Sequence, residues 1–229
     1  RLDQSGDILQ APTDLTQNEL WTTTEPVTYG APRFWSIRLD VNADQFFGLT
    51  WQRDTFEAPT QTCSNDCMLN NVEFMILSGA GETIKPITQL TPDDINSRKV
   101  NTIPNIAAIR NERWLLVFSH TDGGMAYAVL DSQGEMIQPR SFIPGTGLGW
   151  SPAALQLVGS DTVLIAWTAW TLKNPQIHTI RLNANTLQVD PAITVLDNPN
   201  ATTGADFVAL TPDSMGNVIL TWMDFSASN

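Results

Sequence analysis

The chain has 229 residues, of which 42% are hydrophobic and 16% charged, and its formal net charge at pH 7 is −12. This apolar content is enough for a buried core and argues against an intrinsically disordered chain. The negative charge excludes nucleic acid and anionic membranes as favoured partners, because both are bound through clusters of Lys and Arg. The sequence contains no run of about 20 apolar residues, so it predicts no membrane-spanning helix.

The chain opens on a short strand pattern that returns three times. Each copy has an apolar strand with a leucine, a turn rich in Gly, Asn, Ser and Asp, a second short strand and a proline. Two apolar runs joined by such a turn predict a β-hairpin. The proline predicts that the last strand lies at a sheet edge, because proline cannot donate a ladder hydrogen bond. The copies occupy residues 1–16, 73–91, 126–144 and 177–196.

A second type of hairpin alternates with the first. It has an apolar strand, a polar turn and a strongly apolar strand that ends in an aromatic residue. We expect the aromatic side chains to pack between neighbouring repeats. These hairpins lie within residues 31–52, 103–120, 151–169 and 205–224, and their aromatic residues are Trp51, Phe118, Trp167 and Trp222.

The two hairpins together form a four-stranded unit that recurs roughly every fifty residues. Such units predict an all-β fold, a β-propeller of four-stranded antiparallel blades, with about four blades in this chain. The predicted parts of this single domain are half blades at residues 1–16 and 205–229, and complete blades at residues 31–91, 103–144 and 151–197.

The two half blades leave two arrangements open. The first half blade can complete the last one and close a four-bladed ring. Alternatively, the chain is a segment of a larger ring, which further blades or subunits complete. The first strand, Arg1–Asp3, is short for a closing strand, and this favours the larger ring.

Residues 55–71 interrupt the repeat and are predicted to form a loop insertion that contains Cys63 and Cys67. A disulfide is the favoured interpretation, because a metal site needs further Cys or His ligands and redox motifs usually read C-x-x-C. A disulfide predicts an oxidising, extracellular or cell-surface location. No cofactor is predicted. Ca²⁺ is the less favoured alternative, with oxygen ligands that do not follow an EF-hand order: Asn65, Asp66, Asn70 and Asn71.

Two stretches, PDSMGNVILTW (212–222) and AVLDSQGEMIQP (128–139), resemble the repeats of secreted bacterial β-propeller proteins. The resemblance extends over nearly the whole chain. It implies the architecture alone, because this fold hosts binding proteins, scaffolds and hydrolases. The Asp131–Gly134 turn is also similar in position to the Asp-box turn of sialidase-like propellers, but it lacks the downstream Trp. No catalytic residue is implied.

The loops between the second and third strands of the blades are expected to converge on one rim, which would be the ligand face. Carboxylates there could bind a cation or act on a glycoside, a histidine could act as a general base, and a Trp beside a Lys could stack on a sugar. The alternative for each residue is a turn, loop or packing role. The candidate ligand-binding residues are Arg53, Asp54, His120, Asp122, Trp170, Lys173 and Asp224.

Three functions remain open at this stage. Because no catalytic motif is recognisable, the sequence favours a non-enzymatic extracellular module that binds a protein or a carbohydrate. The first alternative is a carbohydrate-active propeller enzyme that uses the loop carboxylates. The second is a structural segment of a larger surface protein or filament.

Overall fold

The computed structural model describes residues 32–57, 67–91, 101–121, 124–147, 149–169, 176–196 and 205–224. All regular elements within these ranges are β-strands, which confirms the predicted all-β class. The strands form three four-stranded antiparallel sheets and one two-stranded sheet, the blades of a β-propeller. The blades are numbered here in chain order.

Blade 1 contains β1 (Pro32–Val41), β2 (Phe47–Glu57), β3 (Cys67–Leu77) and β4 (Thr83–Gln89). Blade 2 contains β5 (Asn101–Ile109), β6 (Arg113–His120), β7 (Gly124–Leu130) and β8 (Met136–Phe142). Blade 3 contains β9 (Gly149–Gln156), β10 (Thr162–Ala169), β11 (Gln176–Asn183) and β12 (Thr194–Leu196). Blade 4 contains β13 (Ala205–Pro212) and β14 (Val218–Asp224).

The first strand of each blade is its innermost strand. β1 contacts β5, β5 contacts β9, and β9 contacts β13, whereas β4, β8 and β12 lie at the outer edges of their sheets. Pro86 and Pro139 lie in β4 and β8, so these prolines are in edge strands, as predicted. Within the described ranges no comparable contact joins β13 to β1. The four described blades therefore form an open series.

The cores lie between blades, because alternate side chains of each strand point to opposite faces of its sheet. On one face of β6, Leu116 and Phe118 pack with Phe74 of blade 1. On the other face, Leu115 and Val117 belong to the cluster that contains Ile165 and Trp167 of blade 3. The continuous apolar run of β6 is therefore buried on both sides.

The predicted inter-blade aromatic positions differ in their burial. Phe118 and Trp167 are fully buried between blades, and Trp51 is 5% exposed. Trp222 departs from the prediction, since it is 39% exposed at the end of the series. Trp222 lies on the same face of β14 as Leu220, which packs with Ala166 and Ile177 of blade 3, so its indole is turned towards blade 3 but is incompletely covered there.

Every inner strand has a β-bulge at the same position. The register shifts between Trp35 and Arg38 in β1, and equivalent shifts occur in β5, β9 and β13. Each bulge contains a non-glycine residue with positive φ, a conformation that side chains usually disfavour. These residues are Ser36 (54°), Ile103 (49°), Ser151 (48°) and Phe207 (54°).

The interruption of the repeat is shorter than the sequence predicted. β2 continues to Glu57 and β3 begins at Cys67. Both ends of the predicted loop at residues 55–71 are therefore paired strand, and Glu57 stands opposite Cys67 in the register. A long hairpin was missed because its polar residues, Asn70 and Asn71, do not have the strand composition that sequence patterns reward.

Candidate functional site

The register places the described candidates Asp54, His120 and Asp224 at the same end of their blades, here called the upper end. It is the end at which β1, β5, β9 and β13 begin and at which β2, β6, β10 and β14 finish. Asp54 stands opposite Arg33, His120 opposite Asn101, and Asp224 opposite Ala205. Hydrogen bonds between blades at this end include one from the Ile103 amide to Gln52 Oε1, 3.0 Å long.

Asp54 is a buried carboxylate at the upper end, with only 3% of its surface exposed. Its Oδ1 accepts hydrogen bonds from Gln52 Nε2 and Asn70 Nδ2, both at 2.6 Å. Gln52 and Asn70 are neighbours on the same face of blade 1, because Asn70 is the cross-strand partner of Asp54. The two amides fix the orientation of this carboxylate on the face that points to blade 2.

Arg53 does not share a face with Asp54, since consecutive residues of a strand point in opposite directions. Its Nη1 lies 3.2 Å from Glu73 Oε1, and Trp51 Nε1 donates a 2.9 Å hydrogen bond to Glu73 Oε2. Arg53, Trp51 and Glu73 thus form a group on the face of blade 1 that is turned away from blade 2. The structure therefore separates two candidates that are adjacent in sequence.

His120 is the last residue of β6 and is 3% exposed, whereas a position in a loop was expected. Its ring meets Phe142 edge to face, with centroids 5.1 Å apart. Arg140 Nη1 lies 3.3 Å from His120 Nε2. Both neighbours belong to β8, the outer edge strand of blade 2. These contacts give His120 a packing role towards the outside of the blade, and a role in ligand binding stays a prediction.

Several candidates fall beyond the described part of the chain. Asp122, Trp170, Lys173 and Cys63 lie outside the described residues, and of Cys67 and Asp224 only the backbone is described. The disulfide and the roles of these residues in binding stay predictions.

The oxygen ligands considered for Ca²⁺ are not arranged as one set. Asn70 binds Asp54, whereas Asn71, the next strand residue, accepts a short hydrogen bond from Thr91 Oγ1 on the other face. Asn65 and Asp66 lie outside the described residues. Among the residues that the structure describes, no group of three or more His, Cys, Asp or Glu could hold a metal ion. Calcium binding stays a prediction.

Two tryptophans at the upper end were missed by the sequence analysis. Trp35 and Trp150 each precede the positive-φ residue of an inner-strand bulge, and they are 47% and 37% exposed. The signal that could have identified them is a repeated Trp-Ser dipeptide, Trp35-Ser36 and Trp150-Ser151, near the start of the first strand in two blades.

The Asp-containing turns lie at the other end of the blades. Asp131 Oδ1 accepts hydrogen bonds from the amides of Gln133 (2.9 Å) and Glu135 (2.8 Å) in the β7–β8 turn. Asp213 does the same for Met215 and Asn217 in the β13–β14 turn, and the Asn217 side chain lowers the pKa of this carboxyl. These aspartates stabilise turns and are remote from the candidate rim.

No protein-family model matches the sequence, and a search of curated proteins found no match. Solved structures do match. NanB sialidase from Streptococcus pneumoniae is 14% identical with a TM-score of 0.57, over 85% of this chain and 27% of the sialidase. A family 117 glycoside hydrolase from Zobellia galactanivorans is 10% identical with a TM-score of 0.57, over 87% and 65% of the two chains. An endo-arabinase from Bacteroides thetaiotaomicron is 11% identical with a TM-score of 0.51, over 85% and 71%.

This chain thus spans about a quarter of the sialidase and about two thirds of the other two proteins. At these identities the likeness shows the fold. The comparisons contradict the prediction of a non-enzymatic binding module, because all three neighbours are named as glycosidases. The described residues contain no helix long and apolar enough to cross a membrane.

Proposed function

We propose that this protein is a carbohydrate-active enzyme that hydrolyses glycosidic bonds at the upper end of its propeller. The observation that carries the proposal is Asp54, a carboxylate that is 3% exposed and oriented by two amide donors. An oriented carboxylate is the kind of group that acid–base work on a glycoside requires.

Glycoside hydrolysis generally needs a second carboxyl group within about 5–10 Å of the first. Asp224 is our candidate, since it ends β14 at the upper end as Asp54 does near the end of β2. Asp122 lies in the β6–β7 connection and is the alternative. One of the pair would protonate the leaving oxygen, while the other would activate water or attack the sugar.

The substrate class is a glycan, and support for this comes from the named activities of the structural neighbours. We also place the protein outside the cytoplasm, on the basis of the predicted Cys63–Cys67 disulfide. Mass spectrometry of the native protein tests for this disulfide, and thereby for an oxidising location. A peptide that links Cys63 to Cys67 without reduction supports it, whereas two free thiols would count against it.

Replacing Asp54 by Asn tests the enzymatic proposal. Removal of one of the two carboxyls should slow hydrolysis of the glycan that the wild type cleaves by a factor of at least about 100, because general acid–base catalysis accelerates a reaction by about this factor or more. The substrates are a panel that includes arabinan and sialylated oligosaccharides, with release of reducing sugar as the readout. Asp213→Asn, in a turn at the opposite end, is the matched control and should retain activity. Equal activity of wild type and Asp54→Asn would reject the proposal.

A further inference from the structure

Trp35 and Trp150 occupy equivalent positions two blades apart. Each is the residue before the positive-φ bulge residue in an inner strand, Ser36 in β1 and Ser151 in β9. Each stays well exposed, at 47% and 37%. Trp51 and Trp167, the aromatic residues of the adjacent second strands, are 5% and 0% exposed. Within blades 1 and 3 the tryptophan at the bulge is therefore exposed and that of the second strand is buried, whereas in blade 4 the second-strand residue Trp222 is itself 39% exposed.

The register shows where Trp35 points. Directly opposed residues of an antiparallel pair lie on the same face, and Trp35 is opposite Gln52. Gln52 accepts a hydrogen bond from the Ile103 amide of blade 2 and donates one to Asp54. Trp35 is thus on the face of Asp54, and not on the outer face of blade 1 where Leu39 is opposite Leu49. Its indole is 47% exposed at the upper end of this face.

Trp150 has the same relation to blade 4. It is opposite Thr168, on the face where Ala166 packs with Val208. Thr168 is 1% exposed, yet its hydroxyl has no hydrogen-bond partner within the described part of the chain. A buried hydroxyl without a partner is costly unless something else binds it. Each exposed indole therefore has a polar group beside it, the Gln52–Asp54 pair or the Thr168 hydroxyl.

An indole ring with an adjacent hydrogen-bonding group suits a sugar, which has one face of C–H bonds and a rim of hydroxyls. Neighbouring sheets pack about 10 Å apart, so positions two blades apart are separated by up to about 20 Å. That separation exceeds one sugar ring, and an oligosaccharide would be needed to contact both indoles.

We propose that Trp35 and Trp150 are sugar-stacking platforms of two binding subsites, which hold an oligosaccharide across the upper end of the propeller. Trp35 would hold the sugar next to Asp54, and Trp150 a more distant sugar. The inference rests on the proposed function for the class of ligand, but it concerns binding and does not require that Asp54 be catalytic.

Binding to an oligosaccharide array that includes arabino-oligosaccharides and sialylated glycans tests this inference, with Asp54→Asn as the parent so that bound glycans stay intact. For the glycan bound best, Trp35→Ala and Trp150→Ala should each raise the Kd about tenfold or more, since a lost aromatic contact of 1.4 kcal/mol has that effect. Trp35→Phe and Trp150→Phe should restore most of the affinity. The control is Phe142→Ala, which removes a 43% exposed aromatic residue from the outer strand β8.

Thermal unfolding of each variant separates loss of binding from loss of fold. The inference is overturned if no glycan of the array binds, or if folded Trp35→Ala and Trp150→Ala bind as the parent does. It stands if both variants weaken binding, even when Asp54→Asn leaves hydrolysis unchanged and the enzymatic proposal fails. Conversely, Asp54→Asn could abolish hydrolysis while Trp35→Ala and Trp150→Ala leave the Kd unchanged. That result would support the enzymatic proposal and reject the sugar-stacking role of the two tryptophans.

Discussion

At the scale of single residues, the packing between blades depends on small side chains at a few positions. Gly48 in β2 faces blade 2, and a Cβ added there would lie 2.7 Å from the ring of Trp114 and 2.8 Å from Ile106 Cδ1. Trp114 is completely buried. Blade 2 can therefore approach blade 1 closely only because residue 48 has no side chain.

Gly48→Ala is therefore expected to destabilise the protein by about 1–3 kcal/mol, the usual cost of overpacking a core. Urea unfolding gives the free energy of unfolding. A double-mutant cycle with Trp114→Leu supplies the control, because a smaller partner should remove much of the cost. An equal cost in both backgrounds would show that contact with Trp114 is not the cause.

The candidate site depends on residue-scale detail that sequence patterns do not contain. Asp54 was predicted as a candidate because it follows an apolar strand. The structure adds that it is buried and bound by Gln52 and Asn70. Arg53, its neighbour in sequence, faces the other way and binds Glu73. The alternation of side chains along β2 decides this difference. The sequence did not predict it, because the loop was expected to begin at residue 55.

At the scale of elements, the turns of neighbouring blades interact at the lower end. Asp44 lies in the β1–β2 turn and Glu112 in the β5–β6 turn. The negative charge of Asp44, followed by a hydrogen bond between the two carboxyls, raises the pKa of Glu112 above its ordinary value of 4.5. The folded state thus holds a proton on Glu112 more tightly than the unfolded chain does.

The sign of the resulting pH dependence follows from this shift. A carboxyl whose pKa is raised by folding stabilises the folded state at pH values below its pKa in the unfolded chain. That contribution is lost as the pH rises through its pKa in the folded protein. Glu112→Gln should therefore increase stability relative to wild type at neutral pH, and the gain should disappear below pH 4.5. Urea midpoints of both proteins across this range provide the measurement. Glu82→Gln, in the β3–β4 turn, is the control, and a similar profile for both variants would contradict the assignment.

At the scale of the whole molecule, the described blades form an open series with an apolar face at each end. On the outer face of blade 1, Leu39 and Val41 are 57% and 46% exposed. In β14 of blade 4, Ile219 and Met223 are 47% and 49% exposed. Large exposed apolar areas generally mark an interaction surface. Both arrangements suggested by the sequence, a ring closed by residues 1–16 and a larger ring completed from elsewhere, would cover these faces.

We predict that further blades complete the ring, and that this chain on its own therefore associates through its end faces. Leu39→Lys and Ile219→Lys should each lower the average mass measured by analytical ultracentrifugation at high protein concentration, because a charge opposes burial of the face. Val158→Lys, a 68% exposed position in the β9–β10 turn, is the control. A compact monomer at all concentrations would favour closure by residues 1–16.

The sequence by itself determined the architecture of this protein. Hairpin turns, edge prolines and alternating apolar strands are local signals, and their recurrence is enough to predict four-stranded propeller blades. Only the tertiary structure decided which side chains meet at the upper end. It turned His120 towards Phe142 on the outer strand, oriented Asp54 between two amides, and left Trp35 and Trp150 exposed beside the bulges. The physical reason is that direction relative to the propeller axis depends on register, bulges and the packing of neighbouring blades, none of which is encoded within a single repeat.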